Sequence, residues 1–208
     1  MTEVYLRRLS RWQAEQQRNA VADVHVSAYR GSAGAGQHDH RSFLSRFEQH
    51  VQGAGFDMVV AEGGGLVACA YGFRVPRTGE WWSDFHGELP TDIEELTASG
   101  RTFLLTELMV LPAHRRLGIA TRLVERLLIR LDTDLVVTAV ARDPHGDGDG
   151  GRPTNAAEET LRAWGWSRLG VLGPRTVSDV SAGSGSSAGA GAGAGSSAGD
   201  VWIRRPLH

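Results

Sequence analysis

The stretch from Thr102 to Ala141 constrains the fold more than any other part of the chain. It comprises an apolar run (Thr102 to Leu111), a basic turn, an amphipathic segment (Gly118 to Leu131) and a second apolar run (Leu135 to Ala141). The apolar residues of the middle segment recur at helical spacing, which predicts a helix between two strands. Strands joined through a helix lie parallel. The sequence therefore predicts a βαβ unit here.

The rest of the chain is predicted to contribute mainly antiparallel strands and helices. Glu62-Gly63-Gly64-Gly65 separates two β-rich runs and is typical of a hairpin turn. The remaining predicted elements are, in chain order, a strand at Val4–Leu9, helices at Arg11–Tyr29 and Arg41–Val51, strands at Phe56–Ala61 and Leu66–Val75, a helix at Asn155–Trp164, and strands at Ser167–Leu172 and Val201–Arg205.

The length of the chain fits one domain. Its 208 residues suffice for one hydrophobic core and are too few for two domains of usual size. Ser181 to Gly199 contains only Ser, Ala and Gly, so this segment has little to bury and is expected to be a flexible loop within the terminal hairpin. We therefore expect residues 1–208 to form a single α+β domain, with a mixed, mostly antiparallel sheet flanked by helices.

The charge balance argues against two classes of partner. Lys and Arg number 22 against 24 Asp and Glu, giving a formal net charge of -2, so we expect neither a nucleic acid nor an anionic membrane as partner. No segment has the character of a signal peptide or a membrane span. The lone cysteine, Cys69, suits a reducing compartment. These features predict a cytoplasmic protein, a monomer or a homodimer, that acts on small molecules.

The turn after the first strand of the βαβ unit carries the chemistry. A helix that starts there presents unpaired N–H groups and its positive end, which together favour an anion such as phosphate. Gly118 leaves room for a pyrophosphate, Ala120 keeps the first helical turn small, and Arg115 and Arg116 can add charge-assisted hydrogen bonds. An ordinary solvated turn is the alternative interpretation of the two arginines.

Arg115, Gly118 and Ala120 resemble the (Gln/Arg)-x-x-Gly-x-(Gly/Ala) signature of the GCN5-related N-acetyltransferase family. The turn lacks the Gly-Lys-Ser/Thr of a Walker loop and the three-glycine dinucleotide fingerprint. The order of elements along most of the chain is also similar to that of the family. The resemblance implies the acyl-CoA N-acyltransferase fold, in which acetyl-CoA lies where two parallel strands splay apart.

The resemblance also implies which residues bind acetyl-CoA. The backbone of Leu108, Met109 and Val110 would hold the pantetheine arm and the thioester. Asn155 would bond to the pantetheine, although it can equally be the N-cap of its helix. The pyrophosphate would lie against Arg115, Arg116, Leu117, Gly118, Ile119 and Ala120, with Thr121 adjoining.

One family residue is missing. The tyrosine that protonates the departing CoA thiolate in many members falls on Leu161, so no general acid is apparent there. A thiolate whose conjugate acid has a pKa near about 8.5 can leave with water as the proton source. The missing acid supports an alternative function, a non-catalytic acyl-CoA-binding sensor or scaffold module.

Glu107 is the predicted general base. An alkylamine has a pKa of roughly 10, so a base must remove a proton before the amine can attack. Glu107 is the lone carboxylate inside the apolar strand, where burial can raise its pKa; a position facing solvent at a strand edge is the alternative. The backbone N–H of Met109 is predicted to polarise the thioester carbonyl.

Substrate capture is assigned to the acidic segment from Pro76 to Gly100, predicted to be a long loop with one helical turn near Asp92. Trp81 or Trp82 can offer a ring face to a cationic acceptor, or both can be core anchors of a solvated loop. No metal site is expected: His38-Asp39-His40 is interpreted as a polar loop, and Asp147-Gly148-Asp149-Gly150 lacks the flanking ligands of a calcium loop.

The sequence thus predicts an acetyl-CoA-dependent N-acetyltransferase. Its acceptor would be a primary amine of a small molecule, for example an antibiotic or a metabolite, or of a peptide, attacking directly in a ternary complex. A nucleotide-binding protein that uses the same helix terminus is a weaker alternative, and it would bind ADP or ATP as well as CoA.

Overall fold

The computed structural model describes residues 3–30, 39–141, 156–173 and 198–205. Seven strands form one sheet in the order β1-β2-β3-β4-β5-β7-β6. Strands β4 and β5 are parallel, and every other neighbouring pair is antiparallel. The strands are β1 Tyr5–Leu9, β2 Asp57–Glu62, β3 Leu66–Arg74, β4 Thr102–Val110, β5 Leu135–Ala141, β6 Ser167–Leu172 and β7 Gly199–Arg204. The predicted mixed sheet and its parallel βαβ unit are confirmed.

Six α-helices flank the sheet in the described part of the chain, and none of them is long and apolar enough to cross a membrane. They are α1 Arg11–Gln16, α2 Arg18–Tyr29, α3 His40–Val51, α4 Thr91–Ala98, α5 Ile119–Leu128 and α6 Ala156–Ala163.

The predicted helix from Arg11 to Tyr29 is in fact two helices. Gln17 ends α1 and begins α2, with backbone angles (φ -96°, ψ 7°) outside the helical region. Ser10 starts α1 with a capping box, in which its side chain and that of Gln13 each bond to the other's backbone N–H. In the short helix α1 Ala14 is buried and Trp12 is 67% exposed.

The segment between β3 and β4 is more ordered than the predicted loop. Glu80–Trp82 forms a 3₁₀ turn, and α4 spans eight residues where one helical turn was expected. Asp92 and Glu94 lie in the first turn of α4, where carboxylates stabilise the positive end of a helix. Ile93 and Thr97 of the same helix are buried, so this helix covers the sheet and contributes to the core.

Side chains alternate between the two faces of the sheet and bury separate cores. On one face, α5 and α6 pack against the central strands through Leu123, Leu127 and Leu161. On the other face, α2 and α3 cover β2, β3 and β4. A third cluster joins α4 and the Trp81–Trp82 turn to the start of β4 and to β5. Described helices therefore pack against both faces of the central strands.

The predicted terminal hairpin is confirmed, because β6 and β7 pair antiparallel. Strand β7 begins at Gly199, opposite Ala141 of β5 and Leu172 of β6. Gly199 therefore belongs to the strand and not to the Ser/Ala/Gly loop. Residues 181–197 of that predicted loop lie outside the described residues.

Candidate active site

The parallel strands β4 and β5 enclose a cleft because they stay paired over only part of their length. Their register joins Thr102, Phe103 and Leu104 to residues 135–137 and ends there. Beyond this point β4 continues along β3, and β5 continues along β7. The Thr138 hydroxyl donates to the Leu105 carbonyl at 2.9 Å, where the two strands begin to separate. The splayed pair expected from the family resemblance is thus present.

A β-bulge in β4 lies beside the cleft. Tyr71 and Gly72 of β3 are opposite Glu107 and Leu105, so Thr106 is an extra residue on β4. A bulge bends its strand and increases the local twist, which helps β4 to diverge from β5. Gly72 permits the close contact of the two strands at this point, since a Cβ built on it would lie 2.0 Å from a backbone carbonyl oxygen of β4.

The turn between β4 and α5 has the geometry of an anion site. Gly118 is the N-cap residue of α5 and has a left-handed backbone (φ 71°). As a glycine, it brings no side chain to cap the N–H groups of the first helical turn. The Arg122 N–H bonds to the Gly118 carbonyl at 3.1 Å, so the N–H groups of Ile119, Ala120 and Thr121 precede the first helical hydrogen bond. A Cβ at Gly118 would meet no atom within 4 Å. The residues present therefore fit a pyrophosphate, which can approach this backbone closely.

The two arginines of the turn have different environments. The Arg115 guanidinium donates to the Ala28 carbonyl at 2.5 Å and to the Val110 carbonyl at 3.3 Å. Arg115 therefore ties the turn to α2 through Nε and Nη2, while its side chain is exposed and Nη1 takes part in neither bond. Arg116 is exposed and has a positive φ of 62°, which is uncommon for a residue with a side chain. Leu117 is likewise exposed.

Glu107 is a buried carboxyl with one close hydrogen-bond donor. Its exposed fraction is 6%, and the Tyr29 hydroxyl donates to its Oε2 at 3.3 Å. Burial raises the pKa of Glu107 to about 7, opposed by the Arg46 charge and the Tyr29 hydrogen bond. Burial also raises the pKa of Tyr29, so the phenol keeps its proton. Glu107 is thus able to exchange a proton near neutral pH.

His25 and Met109 extend this buried group. The His25 Nδ1 lies 3.2 Å from the Met109 sulfur and 4.0 Å from Glu107 Oε2. The His25 ring stacks on Phe43 of α3, with 4.3 Å between centroids. The side chains of α2, α3 and β4 therefore meet in one polar cluster beneath the sheet, on the face opposite α5.

The strand register shows which backbone N–H groups of β4 face the cleft. The Leu111 N–H bonds to the Val67 carbonyl of β3 at 2.9 Å, and Met109 is paired with Cys69 two positions back in the same register. Antiparallel pairs alternate between hydrogen-bonded and non-bonded, so the Met109 N–H faces β3. The prediction that it polarises the thioester is therefore wrong. The N–H groups of Leu108 and Val110 face the cleft.

Comparison with known families agrees with this geometry. The model of the acetyltransferase (GNAT) family matches residues 18–136, which is more than half of the chain. The chain belongs to the GNAT family. A search of curated proteins finds no match.

Solved GNAT structures share the whole fold. The GphF GNAT-like decarboxylase in complex with isobutyryl-CoA is 18% identical, with 97% of this chain and 98% of that chain covered and a TM-score of 0.60. The ribosomal-protein-S18-alanine N-acetyltransferase from Escherichia coli is 14% identical (98% and 94% covered, TM-score 0.52). The PaiA N-acetyltransferase from Thermoplasma acidophilum in complex with coenzyme A is 10% identical (98% and 99%, TM-score 0.50). At these identities the likeness concerns the fold alone.

The tryptophans predicted to capture substrate are core residues. Trp81 is 1% exposed and Trp82 is 7% exposed, and their rings pack edge to face with 4.4 Å between centroids. The Trp82 indole N–H donates to the Thr97 hydroxyl at 3.0 Å. Both rings are core residues, as the alternative interpretation has it, and Trp82 also lines a cavity with Leu89 and Glu94.

Two further positions concern the GNAT resemblance directly. Asn155, expected to bond to pantetheine, lies outside the described residues. Leu161, at the position of the family tyrosine, is buried in the core between α5, α6 and the sheet. This position of α6 carries an apolar side chain that cannot donate a proton.

Sequence reasoning missed the residues that surround Glu107. Tyr29, His25 and Arg46 come from two helices distant in sequence from β4. One signal was present, since His25 and Tyr29 are four residues apart and share a helical face with the buried Val21. A histidine and a tyrosine on a core-facing stripe indicate a polar group beneath that helix, but they do not indicate its partner.

Proposed function

We propose that this GNAT protein is an N-acetyltransferase that transfers an acetyl group from acetyl-CoA to a primary amine, by direct attack in a ternary complex. The observation that carries the proposal is the position of Glu107. A buried carboxyl with a pKa of about 7 lies on the strand that borders the cleft, two residues past the point where β4 and β5 separate.

Acetyl-CoA is the co-substrate, and it supplies an acetyl group on a thioester. The N–H groups at the start of α5, together with Gly118, bind its pyrophosphate, with Arg116 and Thr121 adjoining. The cleft-facing N–H groups of Leu108 and Val110 bind the pantetheine arm and polarise the thioester carbonyl. Leu108 and Val110 thus take the role that was expected of the Met109 N–H, within the same segment of β4.

Glu107 accepts a proton from the acceptor amine. After Glu107 has taken the proton of the ammonium form, the neutral nitrogen forms a new bond to the acetyl carbon and the carbon–sulfur bond breaks; the second proton that the nitrogen loses on acylation passes to water. With a pKa of about 7, roughly half of the Glu107 carboxyls are ionised at neutral pH. The ionised carboxylate that acts as the base is therefore present in about half of the molecules. Since Leu161 carries no acid, the thiolate takes its proton from water.

Isothermal titration tests the cofactor site. Wild type should bind acetyl-CoA and CoA more tightly than ATP, and Gly118→Asp should abolish binding because it places a carboxylate where the pyrophosphate lies. Gly64→Asp is the matched control: Gly64 also has a positive φ (78°) and open space around a built Cβ, in the β2–β3 turn. Equal binding by both variants would exclude the site.

Thiol release separates catalysis from binding. With acetyl-CoA bound, a panel of primary amines should release CoA thiol at rates that depend on Glu107. Tight binding of acetyl-CoA with no thiol release from any amine would favour the sensor or scaffold function, which the missing acid at Leu161 supports.

A further inference from the structure

The cluster around Glu107 contains a cation that the proposed reaction does not use. Arg46 lies on α3, on the helical face shared by Phe43, Phe47 and His50. Phe43 stacks on His25, and Phe47 packs edge to face on Tyr71 at 5.2 Å. Arg46 therefore enters the same layer as Glu107, and its charge acts on both Glu107 and Tyr71.

One edge of the Arg46 guanidinium has no hydrogen-bond partner in the part of the chain that the structure describes. Its Nε and Nη2 are sealed from solvent and have no hydrogen-bond partner among the described residues. A buried donor without an acceptor is costly, so such a group needs an ordered water, an ion or a ligand as its partner. These two nitrogens form the side-on fork that binds a carboxylate with two parallel hydrogen bonds.

Two other arginines among the described residues use the same two nitrogens on an aspartate, Arg101 on both carboxylate oxygens and Arg168 on one. Arg101 contacts Asp134 through Nε and through Nη2, the latter at 2.9 Å. Arg168 contacts Asp200 through Nε at 2.9 Å and through Nη2 at 2.7 Å. In both cases the fork meets a carboxylate of the protein. At Arg46 the fork faces no carboxylate from the described residues, although Glu107 is close enough for its ionisation to respond to the Arg46 charge.

The reaction itself increases the need for an anion at this place. When Glu107 accepts the proton of the amine, its negative charge is lost and Arg46 remains as a buried cation. A buried charge without a counterion is strongly destabilising. A carboxylate on the acceptor would restore the charge balance at the moment of proton transfer.

We propose that the acceptor is an amine that also carries a carboxylate, bound by the Nε and Nη2 fork of Arg46 while its nitrogen faces Glu107. Amino acids are the simplest members of this class. The inference rests on the proposed function and narrows its acceptor. Tyr29 and Arg46 are only half-buried, so the acceptor approaches along their exposed atoms, and it reaches Nε and Nη2 by displacing the groups that cover these two nitrogens.

Matched acceptor pairs test the proposal. Thiol release from acetyl-CoA is measured with α-, β- and γ-amino acids and with the corresponding carboxamides, for wild type and for Arg46→Gln, Arg46→Lys and Arg41→Gln. Wild type should prefer the acid by about tenfold or more in kcat/KM, the size of effect expected for charge-assisted hydrogen bonds. In Arg46→Gln this preference should fall to about threefold or less, whereas Arg46→Lys should keep part of it.

For each variant, kcat/KM for the amino acid is divided by kcat/KM for its carboxamide. A change in Glu107 ionisation or in the amount of folded protein alters both values equally and so leaves the ratio unchanged. Arg41 is exposed on the same helix, and Arg41→Gln removes the same charge, so this variant should keep the wild-type ratio. An Arg46→Gln variant that slows acid and amide equally, or a wild type without preference, overturns the inference and leaves the proposed function intact. Bound acetyl-CoA with no thiol release from any pair refutes the proposed function, and the inference with it.

Discussion

Tyr29 donates its hydroxyl hydrogen to Glu107, with 3.3 Å between the phenol oxygen and Oε2. This bond joins the end of α2 to the strand that borders the cleft, and it stabilises the ionised form of a carboxyl that burial otherwise keeps protonated. One of the residues that adjust the pKa of Glu107, after burial and the Arg46 charge, therefore comes from a helix distant in sequence.

Replacing Tyr29 by phenylalanine should raise the pKa of Glu107, because the variant loses a donor to the charged form. The acid limb of the kcat/KM profile should move to higher pH, with about a two- to fivefold loss at pH 6 and little change at pH 9. Acetyl-CoA affinity by titration calorimetry should stay the same. A uniform loss at all pH values would show that Tyr29 acts on packing and not on the carboxyl.

The wild-type activity should rise through about pH 7 as Glu107 ionises. Replacing Glu107 by glutamine keeps the size of the side chain and removes the base, so kcat/KM should fall by about 10²- to 10⁴-fold and lose this inflection. The measurement is a pH series of thiol release with one amine. An unchanged inflection in Glu107→Gln would assign the titrating group to another residue.

The sequence predicts the part of the site that depends on local pattern. The strand–turn–helix run around Gly118 has a fixed order and a recognisable signature, so these elements, and the burial of Glu107 in the strand, are predicted from the residues alone. The orientation of the Met109 N–H depends on the strand register, which the spacing of apolar residues does not specify.

The remaining failures have tertiary causes. Trp81 and Trp82 stand among acidic residues in the sequence, and only the packing of α4 against the sheet shows that they are buried. Arg46 and Tyr29 contribute to the site through contacts between elements far apart in the chain. The periodicity of apolar residues in a single sequence does not show which distant elements contact each other.

Replacing Arg115 and Arg116 by alanine, one at a time, should show that the first mainly stabilises the fold and the second mainly binds acetyl-CoA. Arg115→Ala removes two hydrogen bonds to backbone carbonyls and should lower the free energy of unfolding by about 1–2 kcal/mol. Arg116→Ala should leave stability nearly unchanged and weaken acetyl-CoA binding several-fold, since its exposed guanidinium is free to meet a phosphate. Thermal melts and titration calorimetry on both variants give the comparison, and the opposite pattern would reverse the two roles.

Gly72→Ala should damage both the fold and the cleft. The new methyl group would lie 2.0 Å from the Leu104 carbonyl oxygen, so β3 and β4 must separate at the bulge, at a cost of about 2–4 kcal/mol. Acetyl-CoA affinity should fall with the loss of the strand geometry. Gly64→Ala is the matched control, because a built Cβ there meets no atom within 4 Å, and its positive φ should cost only about 1 kcal/mol. Equal melting temperatures for the two variants would contradict the assigned role of Gly72.

Glu107 should also reduce the stability of the folded protein at alkaline pH. Its folded pKa of about 7 is above the ordinary value of 4.5, so between these pH values the folded state holds a proton that the unfolded state has lost. Stability therefore falls as pH rises through this window and stays low above pH 7. The glutamine of Glu107→Gln does not ionise, so the free energy of unfolding of this variant should exceed that of wild type by roughly 1–3 kcal/mol at pH 8. The difference should be smaller at pH 4.5. Urea unfolding at both pH values measures the difference. A variant less stable than wild type at pH 8 would mean that the ionised carboxylate is held by favourable contacts, with Arg46 as its counterion, and that the carboxylate fork of Arg46 is already occupied within the protein.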